Sequence, residues 1–187
     1  MAIEILHPSD YRRMPWANGQ GTTTELLRRE TADGQLLLRL SIADVIAPGP
    51  FSRLPGIDRQ LTLIEGEGFD LLVDGVVVPV RPFESVSFSG DVAVEAIDLR
   101  GASRDFNVMT RRGAASSVVA VHLGGTTLQT ADISCAYAVA GAFAAGERTL
   151  ESGGMVMIEG QPGKALKVTG KGVLITIDVT MQAAPLS

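Results

Sequence analysis

Apolar and polar residues alternate along most of this chain in short segments. The clearest segment covers residues 35–45, where Leu38, Leu40 and Ile42 alternate with smaller or more polar side chains. Because successive side chains of a β-strand point to opposite faces, this pattern predicts a strand with one apolar face. Further strands are predicted at residues 3–6, 22–27, 58–69, 85–88, 92–99, 105–112, 117–123, 126–130, 135–140, 147–150, 154–159, 165–169 and 172–180.

Short turns separate these segments. Asp74-Gly75, in the middle of residues 70–80, is a typical two-residue turn of a β-hairpin. Residues 47–57 contain three prolines and two glycines, which predicts an ordered but irregular loop. Residues 8–13 are predicted to form one helical turn or a loop. No segment of about ten residues keeps a helical period, so the predicted fold class is all-β.

The two halves of the chain have strand-turn-strand units of similar size. Such a repetition predicts two related barrels or sandwiches. The small and polar residues 113–117 form the best boundary between them. The sequence therefore predicts an N-terminal domain at residues 1–112 and a C-terminal domain at residues 113–187.

The composition narrows the range of partners. The chain has 187 residues and a net charge of −5, and its pI is near 5.0. Nucleic acids and anionic membranes are not attracted to such a surface, so neither is an expected partner. No apolar stretch approaches the roughly 18 residues of a membrane span, and we expect a soluble, cytoplasmic protein. The single cysteine, Cys135, lies in an apolar run and is expected to be a core residue.

The stretch from Trp16 to Glu25 reads Trp-Ala-Asn-Gly-Gln-Gly-Thr-Thr-Thr-Glu and differs from an ordinary strand. Its Asn-Gly pair and second glycine favour a turn. The threonines that follow favour a strand, with Thr23 and Glu25 on one polar face. We interpret this face as one wall of a pocket whose apolar floor is Trp16. The alternative is a polar edge strand after a surface turn.

Several strand-turn patterns resemble the cupin barrel, namely Leu-x-Leu-x-x-Gly-x-Gly, then Asp-Gly, then x-Pro-x-x-x-Val-x-Phe. Most cupins hold a metal through a His-x-His pair, a glutamate and a later histidine. This chain has only two histidines, His7 and His122, and neither has a second histidine within ligand spacing. No metal or other cofactor is expected. A site of three carboxylates, Glu25, Asp58 and Glu65, is conceivable, but nothing in the sequence brings them together.

Four motifs together resemble the HutD/Ves family, at residues 16–25, 38–44, 49–59 and 105–112. The resemblance implies two cupin-like (jelly-roll) barrels without the cupin metal motif. It also implies a small-ligand binder or regulator associated with bacterial histidine utilisation. Gln20 departs from the family pattern, which usually has glycine there. The motif positions fall on Trp16, Asn18, Gly19, Gly21, Thr23, Glu25, Arg39, Ser41, Phe51, Ser52, Pro55, Gly56, Asp58, Arg59, Asn107 and Arg111.

From these positions we select a candidate binding site in the first barrel. Arginine can bind a carboxylate through two hydrogen bonds, and a carboxylate such as Glu25 can accept one from an amine or amide. The alternative is an internal ion-pair network of Glu25, Arg39, Asp58 and Arg59 that only closes the barrel. We assign Phe51 and the prolines and glycines of its loop to scaffolding. The predicted ligand-binding residues are Trp16, Asn18, Thr23, Glu25, Arg39, Ser41, Ser52 and Arg59.

The leading hypothesis is a metal-free protein that binds a small anionic or zwitterionic metabolite, with urocanate and N-formylglutamate as candidates. It would have a regulatory or buffering role in histidine utilisation, and a homodimer is compatible with this role. A metal-independent isomerase or hydrolase that uses Glu25 or Asp58 as general base is the first alternative. Neighbouring arginines would lower the pKa of such a carboxylate and weaken it as a base. A structural or protein-partner module is the second alternative.

Overall fold

A computed structural model describes residues 3–16, 19 and 21–182 of the chain. It confirms the all-β class, because the described residues form seventeen strands and a single 3₁₀ turn at Pro8–Asp10. The strands are β1 Glu4–Leu6, β2 Arg12–Pro15, β3 Gly21–Glu30, β4 Leu36–Val45, β5 Gly49–Pro50, β6 Ile57–Glu65, β7 Phe69–Val73, β8 Val76–Val80, β9 Ser85–Ser89, β10 Val94–Ile97, β11 Ser103–Arg111, β12 Ala115–Leu123, β13 Thr126–Gln129, β14 Ile133–Ala145, β15 Arg148–Glu151, β16 Met155–Glu159 and β17 Ala165–Met181.

The chain divides into two compact units. The N-terminal unit is Arg12–Ala114, and the C-terminal unit combines the described residues 115–182 with residues 3–11. Strand β1 belongs to the C-terminal unit because it pairs with β16, where Glu4 lies opposite Met157. The predicted boundary at residue 112 assigns this strand to the N-terminal domain, because a pairing between such distant segments leaves no local signal in the sequence. No helix in the described part of the chain is long and apolar enough to span a membrane.

The N-terminal unit consists of two antiparallel sheets. One has six strands in the order β2-β3-β4-β11-β6-β9, and the other has four in the order β5-β10-β7-β8. Apolar side chains from both sheets form one buried cluster, which includes Leu61 and Leu63 of the first sheet and Phe69, Leu71 and Ala96 of the second. Burial of these side chains holds the inner faces of the two sheets together.

The connections in this unit follow the local sequence. Val73 pairs with Val76 across Asp74-Gly75, and both turn residues have positive φ angles of 48° and 83°. These angles are those of a type I′ turn, so the predicted hairpin is confirmed. The loop at residues 47–57 is irregular as predicted, except that Gly49–Pro50 forms a short strand against β10.

The C-terminal unit is one seven-stranded sheet in the order β1-β16-β14-β17-β12, with β13 paired to β17 and β15 to β14. Its apolar cluster includes Leu128, Phe143, Leu150, Ile158 and Leu174. The long strands β14 and β17 pair along most of their length and organise the sheet.

The prediction of separate strands at residues 165–169 and 172–180 was wrong, because β17 continues without a break through Gly170, Lys171 and Gly172. A Cβ atom on Gly172 would lie only 1.9 Å from the carbonyl oxygen of Ala140. Gly172 also has a φ of 135°, which L side chains rarely adopt. The glycines therefore allow two bent strands to stay paired at close approach, instead of ending the strand.

We expect Gly172→Ala to lower the free energy of unfolding strongly, because the new methyl group would displace the β14 backbone. Gly146→Ala is the matched control, since Gly146 also has a positive φ but nothing lies within 4 Å of its Cβ position. The control should lose about 1–2 kcal/mol from backbone strain alone. Urea denaturation should show at least twice that loss for Gly172→Ala. Equal losses for the two variants would contradict the close approach.

Candidate functional site

Polar side chains occupy the inner face of the six-stranded sheet at one place. Residues directly opposite each other in an antiparallel pair share a face, so the register places the side chains in rows across the sheet. The rows on this face are Thr23-Ala43-Asp105-Leu63, Glu25-Ser41-Asn107-Leu61 and Arg39-Met109-Arg59-Phe88. The consecutive strands β3 and β4 and the more distant strands β6 and β11 thereby contribute to one polar area.

This polar area borders a cavity of about 430 Å³ within the N-terminal unit. The volume lies in the usual range of small-molecule sites, roughly 300–1,000 Å³. The lining residues come from the six-stranded sheet, from Trp16 just after β2, from the loop at residues 47–57 and from strand β10. They are Trp16, Thr23, Arg39, Ser41, Ala43, Val45, Ala47, Gly49, Pro50, Phe51, Ser52, Leu54, Arg59, Ala96, Asn107 and Met109.

The cavity collects most of the residues selected from the sequence: Trp16, Thr23, Arg39, Ser41, Ser52 and Arg59. Trp16 donates a hydrogen bond from Nε1 to Thr23 Oγ1 at 2.8 Å, which holds the indole ring against this strand. Asn18 and Gln20 lie outside the described residues. Phe51, which we assigned to scaffolding, also lines the cavity. Binding of a ligand by these residues stays a prediction.

Glu25 and Arg39 form an ion pair next to the cavity. Arg39 Nε lies 2.7 Å from Glu25 Oε2, and the side chains are 19% and 13% exposed. Glu25 does not itself line the cavity, so its effect there is to neutralise the positive charge of Arg39. This pair is the part of the alternative ion-pair network that does form.

The other part of that network does not form. Asp58 is next to Arg59 on β6 and therefore points to the opposite face of the sheet. It is exposed and accepts hydrogen bonds from the guanidinium group of Arg112 at 2.9 and 2.6 Å. Asp58 is thus not placed to act on a molecule in the cavity.

Arg59 is the buried cation of the site, with 4% of its surface exposed. Its guanidinium carbon lies 5.2 Å from the ring centre of Phe51 and 5.0 Å from that of Phe88. Arg59 donates to the carbonyl oxygen of Ser52 at 3.4 Å and to Asn107 Oδ1 at 3.2 Å. Its Nε has no hydrogen-bond partner. Burial lowers the Arg59 pKa to about 10, against the attraction of Asp105, which still leaves it charged at neutral pH.

Asp105 is a buried acid that our selection from the sequence missed. It is 0% exposed, and burial raises its pKa to about 7 although a hydrogen bond from Asn107 and the charge of Arg59 act in the opposite direction. Asn107 Nδ2 donates to Asp105 Oδ1, whereas Asp105 Oδ2 has no partner. The alternation of Asp105 and Asn107 with Phe106 and Val108 is the sequence signal for an inward polar face.

The three-carboxylate alternative is wrong. Glu65 is exposed and pairs with Arg104 at 3.1 Å, while Asp58 points away from Glu25. No group of three or more His, Cys, Asp or Glu in the described part of the chain could hold a metal ion. In the C-terminal unit, His122 Nε2 is hydrogen-bonded to Thr176 Oγ1 at 3.0 Å.

Similarity to known proteins identifies the family of this chain. A model of the HutD family matches residues 8–176. The chain belongs to the HutD family. The match extends through both units, whereas the motifs we recognised in the sequence end at residue 112. It confirms the resemblance to HutD/Ves proteins.

Two curated relatives carry informative names. An uncharacterized 21.2 kDa protein in the hutC 3′ region of Pseudomonas putida is 44% identical over 110 residues, which is 57% of each chain. Protein Ves of Citrobacter koseri is 32% identical over 148 residues, covering 75% of this chain and 76% of the relative. The first name links the family to a histidine-utilisation gene region, and neither name states a ligand.

Solved structures support the same family and a cupin-like fold. HutD from Pseudomonas fluorescens SBW25 has a TM-score of 0.89 at 31% identity and covers 97% of this chain and all of its own. A cupin 2 conserved barrel domain protein from Leptotrichia buccalis has a TM-score of 0.56 at 7% identity, covering 87% and 89%. The second likeness concerns the fold alone.

We expect Arg39→Met to lower the free energy of unfolding by about 1–3 kcal/mol, because Glu25 would keep a mostly buried charge without its partner. The additional change Glu25→Gln should recover part of this loss, as a double-mutant cycle would measure. Arg28→Met is the control, since Arg28 pairs with Glu30 at the same 2.7 Å but in an exposed position. The control should change stability little. An equally small effect of Arg39→Met would contradict a structural role for the pair.

Asp105→Asn tests the buried acid through the pH dependence of stability. The pKa of Asp105 is raised in the folded protein, so between about pH 4 and 7 the folded state holds a proton that the unfolded state releases. This group therefore lowers the free energy of unfolding by up to about 1.4 kcal/mol per pH unit as the pH rises through this range.

The measurement is urea denaturation of both proteins from pH 5 to 8. The stability of the parent relative to Asp105→Asn should fall with rising pH and level off above the folded-state pKa. Asp74→Asn is the control, because Asp74 is an exposed turn residue at a position that tolerates asparagine. The stability of the parent relative to this control should not fall with rising pH in the same way. A constant difference between parent and Asp105→Asn would show that Asp105 has an ordinary pKa.

Proposed function

We propose that this chain binds a small carboxylate metabolite in the cavity of its N-terminal unit and thereby regulates or buffers histidine utilisation. The observation that carries the proposal is the buried guanidinium group of Arg59, which lines the cavity and donates hydrogen bonds only to neutral protein groups. Burying a charged group is costly unless it is paired. A carboxylate in the cavity would supply the counter-charge of this guanidinium group.

The surroundings of Arg59 favour an anion over a neutral ligand. In the described part of the chain, no carboxylate oxygen lies within 4 Å of its guanidinium nitrogens. Its protein partners are the Ser52 carbonyl and the Asn107 amide, both neutral. A ligand carboxylate would form charge-assisted hydrogen bonds, which are about twice as strong as neutral ones. The rings of Phe51 and Phe88 hold the guanidinium group of Arg59 in place, which reduces the conformational entropy lost when a ligand binds.

The charges at the cavity favour a ligand with one carboxylate. Glu25 already neutralises Arg39 at 2.7 Å, so Arg59, whose nearest buried carboxyl group is Asp105 beyond Asn107, is the cation left for direct contact with a ligand. Urocanate has one carboxylate and a flat conjugated body that suits the apolar surfaces of Trp16 and Phe51. N-formylglutamate has two carboxylates, and the second would lack a free cation. The hydroxyl groups of Thr23 and Ser41 could bind polar atoms at the other end of the ligand.

The lining residues support binding more than catalysis. Those that the structure describes include hydroxyl, amide and guanidinium groups but no His, Cys, Asp or Glu. General acid–base chemistry needs a titratable group within hydrogen-bond reach of the substrate. Glu25 is occupied by Arg39, and Asp58 faces away. We therefore favour a sensing or buffering role over the isomerase or hydrolase alternative.

Two finer proposals accompany this function. We interpret each unit as a cupin-like barrel, which the likeness to a conserved cupin barrel domain supports. We also place the protein in the cytoplasm, since enzymes of amino-acid catabolism and their metabolites occur there. The name of the Pseudomonas putida relative supports the link to histidine utilisation through gene position alone.

Isothermal titration calorimetry at pH 7 tests the proposal with urocanate and N-formylglutamate. Arg59→Met should weaken urocanate binding by about 10- to 100-fold, or roughly 1.4–2.8 kcal/mol, because a charged hydrogen-bond pair is lost. Arg59→Lys retains the positive charge but lacks the planar guanidinium group. Its affinity for urocanate should lie between those of the parent and Arg59→Met. Arg81→Met is the control, since it removes one exposed arginine outside the cavity lining.

The control should bind urocanate as the parent does. If the folded parent binds neither compound at millimolar concentration, the assigned ligand class is wrong. If Arg81→Met weakens urocanate binding as much as Arg59→Met, the loss comes from the change in net charge that both variants share. Arg59 would then not be the residue that binds the carboxylate. Tighter binding of N-formylglutamate than of urocanate would contradict the charge argument while leaving the cavity as the site.

A further inference from the structure

We infer that Asp105 is a positioning residue that couples the binding of a carboxylate at Arg59 to the uptake of one proton by the protein. The inference rests on the proposed binding site and assigns a role to a residue behind it. Asp105 does not line the cavity, so it acts through Asn107 and through its charge.

A hydrogen-bonded chain connects Asp105 to the cavity. Arg59 donates to Asn107 Oδ1 at 3.2 Å, and Asn107 Nδ2 donates to Asp105 Oδ1. The orientation of the amide is set from both sides, because arginine can only donate and a carboxylate can only accept. Asp105 Oδ2 takes no part in this chain and has no partner. A proton on Oδ2 would therefore leave the position of Asn107 and Arg59 unchanged.

The charged groups that act on Asp105 come from the neighbouring strands. Arg59 of β6 favours its ionised form, and Asp44 of β4 opposes it. Arg39 of β4 acts on Arg59 and is itself paired with Glu25 of β3. The buried residues of the facing sheet, such as Phe69, Leu71 and Ala96, are apolar. With this low polarity, charges at the site interact more strongly than in water.

Charge balance gives the direction of the coupling. In the free protein with Asp105 ionised, the charges of Arg39 and Glu25 cancel, and so do those of Arg59 and Asp105. A bound carboxylate then leaves one uncompensated negative charge in a buried place. Protonation of Asp105 restores neutrality, because the ligand then balances Arg59. The ligand carboxylate and the Asp105 proton therefore bind cooperatively, and each raises the affinity for the other by the same factor.

The sign of the pH dependence follows. Burial raises the pKa of Asp105 to about 7 in the free protein, and a nearby ligand carboxylate raises it further. Well below this pH, Asp105 is protonated with or without ligand, and the affinity does not depend on it. Above it, binding must bring in a proton, so the affinity falls by up to tenfold per pH unit until the pKa of the bound state is reached.

The test uses calorimetric titration of the full chain with cinnamate, a flat monocarboxylate with no other titrating group, from pH 6 to 9. Repeating each titration in buffers of different ionisation enthalpy counts the protons taken up. The parent should take up a measurable fraction of one proton near pH 8, and its Kd should rise several-fold between pH 7.5 and 8.5. Asp105→Asn imitates the protonated acid and should bind tightly at every pH without proton uptake. Asp74→Asn should behave as the parent.

Several results would contradict the coupling between carboxylate binding and proton uptake. Ligand binding by the parent without proton uptake would overturn it, and so would an unchanged pH profile in Asp105→Asn. If Asp105→Asn does not fold, the proton count of the parent still decides. Infrared difference spectra of the parent should also show a protonated carboxyl band on addition of cinnamate, and absence of this band would contradict the inference. Failure of the parent to bind cinnamate or urocanate at any pH would instead refute the proposed function, and the coupling with it.

Discussion

The antiparallel register of β3, β4, β11 and β6 is the constraint on which the candidate site depends. It places Arg39, Met109 and Arg59 in one row and Ser41 beside Asn107 in the next. A shift of one residue in any of these pairings would turn that strand's polar side chains to the opposite face. Irregularities lie at the borders of the site, between Glu25 and Leu27 on β3 and between Arg104 and Asp105 on the β11–β6 pair, or beyond it, between Arg29 and Glu30 at the end of β3. Within the site the register is continuous.

This register has an energetic cost. It buries Arg59 and Asp105 and leaves one polar atom of each without a hydrogen-bond partner. Each such atom destabilises the folded protein by roughly 1–3 kcal/mol relative to a paired one. A core optimised for stability alone would contain apolar residues at these two positions. Strand β6, which carries Arg59, has such residues at Leu61 and Leu63. Departures of this kind are expected at functional sites, where binding offsets the cost.

The two units differ in this respect although both are built from antiparallel strands. The buried cluster of the C-terminal unit is formed by apolar side chains such as Leu150 and Ile158, and its single cysteine, Cys135, is also buried. In that unit Gly141 and Gly172 allow β14 and β17 to approach closely. The N-terminal unit instead uses its inner face for arginines, hydroxyls and amides. A cupin-like fold thus supports apolar packing in one unit and a polar cavity in the other.

Local sequence patterns determined the fold class, the hairpin at Asp74-Gly75 and the faces of the strands. Period-two alternation and turn residues are properties of neighbouring residues, so they can be recognised without the tertiary structure. They also placed Arg39 with Ser41 and Thr23 with Glu25. The four sequence motifs identified the family for the same reason, since they are contiguous stretches of the chain.

Only the tertiary structure decided which faces meet and which charges pair. The partner of Asp58 is Arg112 and not Arg59, and the partner of Arg39 is Glu25. Asp105 looks like an ordinary polar strand residue until the register buries it beside Asn107. Its altered pKa arises from loss of solvent, which no local pattern encodes. Strand pairing over long sequence separations decides burial, and burial decides the chemistry of this site.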